Sequence, residues 1–220
     1  ENALNMPSMS AEEAKIMGPW VTLAENLGSF IGQVTDEAIK EINVTFDGVA
    51  AEMNLKALEA AVIAGIMQAS NPDVNMVSAP VIAKERGIQI SKTTQDATGT
   101  FDGYIKLDIQ TVEKHRTIAG TVFSDGKPRF IQIKGITIDS EVGEHMLYTT
   151  NQDVPGILGK LGTLLAEHNE NIANFTLGRA KAGGDAIAVT FLDTPIKATT
   201  VQALKDSGLF QHVRPLHFKA

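Results

Sequence analysis

At 220 residues, 43% of them hydrophobic and 20% charged, the chain is too apolar for a disordered segment and has room for two small domains, each with its own core. A net charge of −7, with 19 basic residues spread thinly, provides no field to concentrate phosphate backbones or anionic lipid, so nucleic acid and membrane are not expected partners. The absence of cysteine excludes disulfides, iron–sulfur clusters and thiolate zinc sites, and no apolar run approaches the ~20 residues that span a bilayer. The start, Glu1 to Pro7, lacks the basic and apolar regions of a signal peptide, so a cytoplasmic location is expected; the missing initiator methionine suggests a fragment or processed chain.

Ser10-Ala-Glu-Glu13 has capping-box spacing and predicts a short helix, which Gly18-Pro19 is expected to interrupt. Pro19 suits the first turn of a second helix whose apolar positions Trp20, Leu23, Leu27, Phe30, Ile31 and Val34 recur at helical period. Ile42, Val44 and Phe46 alternate with polar residues before Asp47-Gly48, and Leu55 to Met67 returns to a helical period, giving strand, turn, helix. Ala79 to Arg86 reads as a short helix closed by Gly87, and the text from Ile88 to Val142 is mostly strand. Within it, Asp125-Gly126 between two β-rich runs predicts a hairpin, because that turn needs a positive φ that glycine supplies without strain.

A boundary is expected near 142, dividing an α+β domain at 1–142 from a second domain at 143–220. Met146 to Thr150 is a predicted strand, and Asp153-Val-Pro-Gly156 opens a helix with Ile157, Leu158, Leu161, Leu164 and Leu165 on one face. Asn171 to Leu177, Ile187 to Phe191 and Val213 to Phe218 are strands, with a helix at Ile196 to Ser207. The order βαββαβ is the ferredoxin-like arrangement, whose helix-free sheet face and sheet edges are expected to be open to a partner.

The residues carry no catalytic constellation. Gly156, Gly159 and Gly162 are three apart, so they stripe a helix and permit close packing on the sheet or on a neighbouring subunit; they do not form a Gly-x-Gly-x-x-Gly phosphate turn. The five histidines show no metal-ligand spacing along the chain, so no metal site is expected. The informative group is Asn151, Asp153, Pro155, Gly156 and Asn171, polar groups at the end of a strand and the mouth of the following helix. A helix N-terminus attracts a carboxylate, an aspartate attracts an ammonium and an amide pairs with a hydroxyl, so the group suits an amino-acid zwitterion. The same residues also serve as ordinary structure, Asp153 capping the helix and Asn171 taking a left-handed conformation after it.

The run from Asp153 to Ile172 resembles the signature of the ACT domain, a βαββαβ module that senses amino acids. With Asn2 to Pro7, Leu23 to Gly28, Gly120 to Phe123 and Ile133 to Gly135, the chain resembles the C-terminal half of the long-form D-3-phosphoglycerate dehydrogenase family. That resemblance implies an intervening domain followed by an ACT domain that binds L-serine between subunits of a homodimer or homotetramer. It also implies that NAD belongs to upstream domains, with no cofactor in this segment. It places Asp153 and Asn171 on serine, Val154, Gly156 and Ile172 in the apolar and backbone lining, and Asn151 where relatives carry histidine or tyrosine.

For the intervening domain the resemblance implies an anion site at Arg129 with Lys127 and Lys134 nearby, but Glu141, Ile136 and Thr137 replace basic or aromatic residues of relatives that have it. An ordinary solvated hairpin face is the competing reading. Two other functions stay open on the sequence: a passive oligomerisation module without ligand, and the regulatory part of an L-serine dehydratase.

Overall fold

The computed structural model describes residues 11–96 and 99–219 and divides into two compact units, Glu1–Arg129 and Phe130–Ala220. The capping box at Ser10 and the segment 2–7 lie outside the described residues.

The first unit begins with α1 (Ala11–Val34), one continuous helix with Pro19 inside it. The predicted interruption at Gly18-Pro19 is therefore corrected. A proline in a helix costs about 3 kcal/mol, whereas each large apolar side chain buried along the helix contributes about 1.5–3 kcal/mol. Met17, ahead of the proline, is buried in one stripe with Trp20, Leu23, Leu27, Phe30 and Ile31, and running the helix on through Pro19 keeps it there, which offsets that cost. Residues 13–16, on the turn before the proline, are exposed, so the carbonyl left without a donor faces water.

After α1 come β1 (Ile39–Gly48), a short 3₁₀ turn (Val49–Glu52), α2 (Leu55–Gln68), α3 (Ala79–Glu85) and β2 (Gln89–Gln95), then β3 (Gly103–Thr111) and β4 (His115–Val122). The strands order as β2-β1-β3-β4, with β1 and β2 parallel across the helical crossover and the other pairs antiparallel. Gly48 ends β1 at φ 55°, and a Cβ there would lie 2.1 Å from the Asp102 carbonyl oxygen, so the predicted turn needs glycine twice over. Ile42, Val44 and Phe46 of β1 and Ile105, Leu107 and Ile109 of β3 are fully buried, as their alternation predicts. Gly28 on α1 and Gly65 on α2 let the two helix backbones touch: added Cβ atoms would lie 2.1 Å from the Val62 oxygen and 2.2 Å from the Glu25 oxygen. The Asp125-Gly126 turn forms as predicted, with Gly126 at φ 77° and the Phe123 N–H donating to the Lys127 carbonyl at 3.1 Å.

The strands β5 (Pro128–Ile133) and β6 (Ile136–Glu141) flank a two-residue turn with Lys134 at φ 56° and Gly135 at φ 74°, two positive values in succession as in a type I′ hairpin. The second unit continues with β7 (His145–Gln152), α4 (Ile157–Glu167), β8 (Ile172–Arg179), β9 (Asp185–Leu192), α5 (Ala198–Asp206) and β10 (His212–His217). The four-stranded sheet has the order β10-β7-β9-β8, antiparallel throughout, which is the predicted ferredoxin-like topology. Leu147, Leu161, Leu165, Leu192, Leu204 and Val213 form the core between the sheet and its two helices.

The helix-free face is not open as expected. Ile136 and Ile138 of β6 lie against Gly178, where a Cβ would come within 2.8 Å of both, and the Thr176 hydroxyl donates to the Asp139 carbonyl. Met146, Tyr148, Ile187 and Val189 are buried on that side. The β6 run Ile136-Thr-Ile138 alternates, so it presents both isoleucines to one face, and covering the apolar sheet face removes it from water.

Candidate functional site

β7 ends in Asn151 and Gln152, the loop 153–156 follows, and α4 starts behind Gly156, which holds φ 89°. A left-handed residue at the mouth of a helix explains the glycine, and no side chain caps this N-terminus. Asp153 is thus not the helix cap. Its Oδ2 accepts from Arg179 Nη1 at 2.8 Å and from the Gly183 N–H at 3.1 Å, while its own N–H donates to the Gly184 carbonyl. The partly exposed pair ties the end of β8 to the loop before α4.

The Arg179 guanidinium, with the Gly183 N–H second, holds the Asp153 carboxyl below the ordinary aspartate value of 3.8. A lowered carboxyl favours the folded state above the unfolded pKa and loses that contribution as pH falls through the folded one. The pair therefore persists at acid pH where exposed aspartates have protonated. A carboxyl-carbon NMR titration will place Asp153 below the ordinary aspartate value, and Arg179→Gln will move it up toward that value; an unmoved titration would mean the arginine does not hold it.

Asn151, Asp153, Val154 and Gly156 line one pocket of about 110 Å³, together with Thr149, Leu161, Phe175 and Phe210. Asn151 is 3% exposed and Thr149 fully buried, yet Asn151 Oδ1 and Thr149 Oγ1 have no hydrogen-bond partner. Asn151 Nδ2 is satisfied by the Gln152 carbonyl at 2.6 Å. Leaving a buried polar atom unpaired costs about 1–3 kcal/mol, so the amide oxygen can still accept a hydrogen bond and the hydroxyl can still donate or accept one. Val154, Leu158 and Leu177, which also line the pocket, are 51%, 51% and 49% exposed. Gly159 and Gly162 on α4 have no atom within 4 Å of an added Cβ, so of the two packing roles read from their spacing, packing on the chain's own sheet is absent.

Asn171 and Ile172 are not part of this pocket. Ile172 begins β8 with Asn171 just before it, and the register running Asn151, Ala186, Arg179 across the sheet puts Arg179, the other end of β8, at the pocket. Asn171 Nδ2 donates to Asp193 Oδ2 at 2.5 Å, and Ile172 packs at the rim of the helix–sheet core. The left-handed residue after α4 is Asn169 at φ 56°, with the Glu170 N–H donating to the Leu165 carbonyl, so Asn171 does not have that role. Glu170, between them, is 5% exposed and serves α5, accepting from the Lys197 N–H at 3.0 Å and the Thr200 hydroxyl at 2.8 Å.

Of the basic residues proposed for an anion, Arg129 lies 3.5 Å from Asp125 and over the Phe123 ring at 5.0 Å, with its side chain 11% exposed. Lys134 pairs with Asp185 at 3.1 Å, and Lys127 is exposed. Sequence reasoning missed Arg179. The signal was present only in the strand register, because Arg179 becomes a neighbour of Asn151 and Asp153 through β9.

The strand order and the pocket at the mouth of its first helix define the class: a ferredoxin-like module of the ACT type behind an α+β domain. Residues 145–208 match the ACT domain family model, and residues 16–134 match that of the D-3-phosphoglycerate dehydrogenase intervening domain. The chain belongs to this D-3-phosphoglycerate dehydrogenase intervening-domain family and carries an ACT domain behind it. It is 32% identical over 214 residues to a D-3-phosphoglycerate dehydrogenase of Synechocystis sp., a match covering 94% of this chain and 39% of that protein. Proteins of the same description from Archaeoglobus fulgidus, at 30% identity over 88% of this chain and 37% of theirs, and Bacillus subtilis, at 27% over 92% and 39%, are also similar. The chain thus spans about two fifths of the length of these relatives. The glycines of α4 do not fit a dinucleotide, since Gly159 and Gly162 lie within the helix and not in a strand-to-helix turn.

Proposed function

We propose that the chain is the regulatory, L-serine-binding part of a D-3-phosphoglycerate dehydrogenase, the NAD-dependent oxidation of 3-phosphoglycerate that opens L-serine biosynthesis being carried out by domains outside it. The observation that carries this reading is the pocket at the mouth of α4, where the buried, unpartnered Asn151 Oδ1 and Thr149 Oγ1 lie in the same lining as Asp153 and its arginine. Asp153 attracts the ammonium of a zwitterion, and Arg179 with the first N–H groups of α4 attracts its carboxylate. The serine hydroxyl donates to Asn151 Oδ1. We keep the functional boundary at 142/143, which the ACT match from residue 145 supports. The cytoplasmic location remains part of the proposal, although a relative from Arabidopsis thaliana is described as chloroplastic; no helix among the described residues is long and apolar enough to cross a membrane. Lys127, Arg129 and Lys134 act in this reading as a hairpin face, since Arg129 and Lys134 already face carboxylates.

A second copy completes the site. β8 is the last strand of its sheet, and Val154, Leu158 and Leu177 expose apolar surface beside it. Two β8 strands paired antiparallel about a two-fold axis bring the start of one against the end of the other. Asn171 of the second copy then reaches the Asp153–Arg179 end of the first, and the open Gly159 and Gly162 on α4 leave room for its approach. Serine gripped from both sides stabilises only the paired state, which is how its binding shifts a population in the attached domains.

Calorimetric titration of the chain with L-serine, D-serine and glycine tests the reading. Heat is expected with L-serine at a stoichiometry of one per pocket and little with D-serine, whose side chain is directed away from Asn151. Absence of heat with any amino acid would leave a passive oligomerisation module.

A further inference from the structure

We infer that His145 and His217, together with Glu144, form a binding site for a divalent transition-metal ion at the end of the four-stranded sheet away from the serine pocket. The two histidines stand directly opposite each other, at the first residue of β7 and the last of β10. The Phe218 N–H donates to the Glu144 carbonyl at 3.0 Å, which makes 144 and 218 a hydrogen-bonded pair. His145 and His217 are then the adjacent non-bonded pair, the position at which cross-strand side chains come closest.

The imidazoles stack with centroids 5.4 Å apart and planes at 22°, and their Nδ1 atoms are 3.4 Å apart. Two nitrogens each about 2.0–2.1 Å from a tetrahedral ion are separated by about 3.3–3.4 Å, so the observed spacing is that of a shared ion. The Glu144 carboxylate lies on the same side: its Oε1 is 3.7 Å from His145 Nε2, the other nitrogen of that ring, and taking one ligand atom from each residue the three lie within 4.8 Å of one another. Two imidazoles and one carboxylate suit Zn²⁺, Cu²⁺, Ni²⁺ or Co²⁺; Ca²⁺ and Mg²⁺ demand more oxygen ligands. Three protein ligands leave a further position for water, and the exposure of Glu144 and His217 makes loading reversible.

An ion held between the two imidazoles also takes up the carboxylate. It would fasten the last strand of the unit to the first. The site had no sequence signal because its histidines are 72 residues apart and meet only through strand pairing.

The test uses the 220-residue chain without a polyhistidine tag, titrated with ZnCl₂ by calorimetry at pH 7.5 and followed by thermal unfolding. One ion per chain is expected, with proton release, affinity falling toward acid pH, and a rise of about 10–20 °C in the second unit's transition at a hundredfold excess over Kd. His217→Gln and His145→Gln should each weaken binding at least tenfold, and Glu144→Gln less. His115→Gln should leave binding unchanged, and far-UV circular dichroism of each variant checks its fold. Co²⁺ should give the visible absorption of a low-coordinate nitrogen–oxygen site, lost in the double histidine variant. No heat and no rise with Zn²⁺ or Cu²⁺, or binding undiminished in the folded double variant, would overturn the assignment. L-serine titrations run with and without the ion separate this result from the effector reading, because the two sites lie at opposite ends of β7.

Discussion

Chains carrying Asp153→Ala and chains carrying Asn171→Ala will each fail to bind L-serine, and an equal mixture of the two will regain about a quarter of the original sites. Within one chain Asp153 pairs with Arg179 at 2.8 Å, whereas Asn171 pairs with Asp193 at the far end of β8. One pocket therefore cannot use both residues unless a second copy lends its Asn171. In a two-fold dimer each pocket takes Asp153 from one copy and Asn171 from the other. A mixed dimer then holds one pocket with both substitutions and one with neither. Random exchange makes about half of the dimers mixed, and half of their pockets are intact, which gives the quarter. Each substitution removes a charge-assisted or amide hydrogen bond to a small ligand, a loss large enough to take a modest effector affinity out of range. Calorimetry on the mixture, after incubation long enough for subunit exchange, reads the result. Binding retained by the Asn171→Ala chain alone would place the whole site within one copy.

The same substitution, glycine to alanine, is expected to have opposite signs at Gly28 of α1 and Gly162 of α4. Gly28→Ala inserts a Cβ 2.1 Å from the Val62 backbone oxygen, which no rotamer can relieve. The helices must move apart, and Leu27, Phe30, Leu58 and Val62, buried on either side of the contact, lose packing with them. Overpacking of this kind costs about 1–3 kcal/mol and more where backbone is the obstacle, against about 1 kcal/mol of helix propensity gained. A net loss of at least ~2 kcal/mol is expected, seen as a lower urea midpoint for the first unit. Gly162→Ala, within α4 with nothing within 4 Å of the new Cβ and no proline beside it, should instead raise the stability of the second unit by about 0.5–1 kcal/mol. A neutral Gly28→Ala would mean that α1 and α2 do not touch through their backbones.

The elements were legible wherever one periodicity ruled. Ile42, Val44 and Phe46 announced β1 because alternate side chains face opposite sides of a strand, and Asp125-Gly126 announced its turn because only a few residues adopt positive φ freely. The βαββαβ order followed from the same patterns, and so did the polar group at the mouth of α4. Pro19 misled because its local cost is visible in the sequence, while the buried stripe that overrides it depends on α2 and the sheet.

Sequence alone thus determined most of the elements, their order in the second unit and the grouping of Asn151, Asp153, Val154 and Gly156, which are close in the chain and stay close in space. Tertiary structure decided what depends on register and crossing. It brought Arg179 to Asp153, separated Asn171 from both, left Asn151 Oδ1 buried without a partner and set His145 opposite His217. It also laid β6 over a sheet face that the pattern left open. The reason is physical: periodicity reports which side of an element is apolar, but the neighbour that covers that side is chosen by strand pairing and packing between residues remote in sequence.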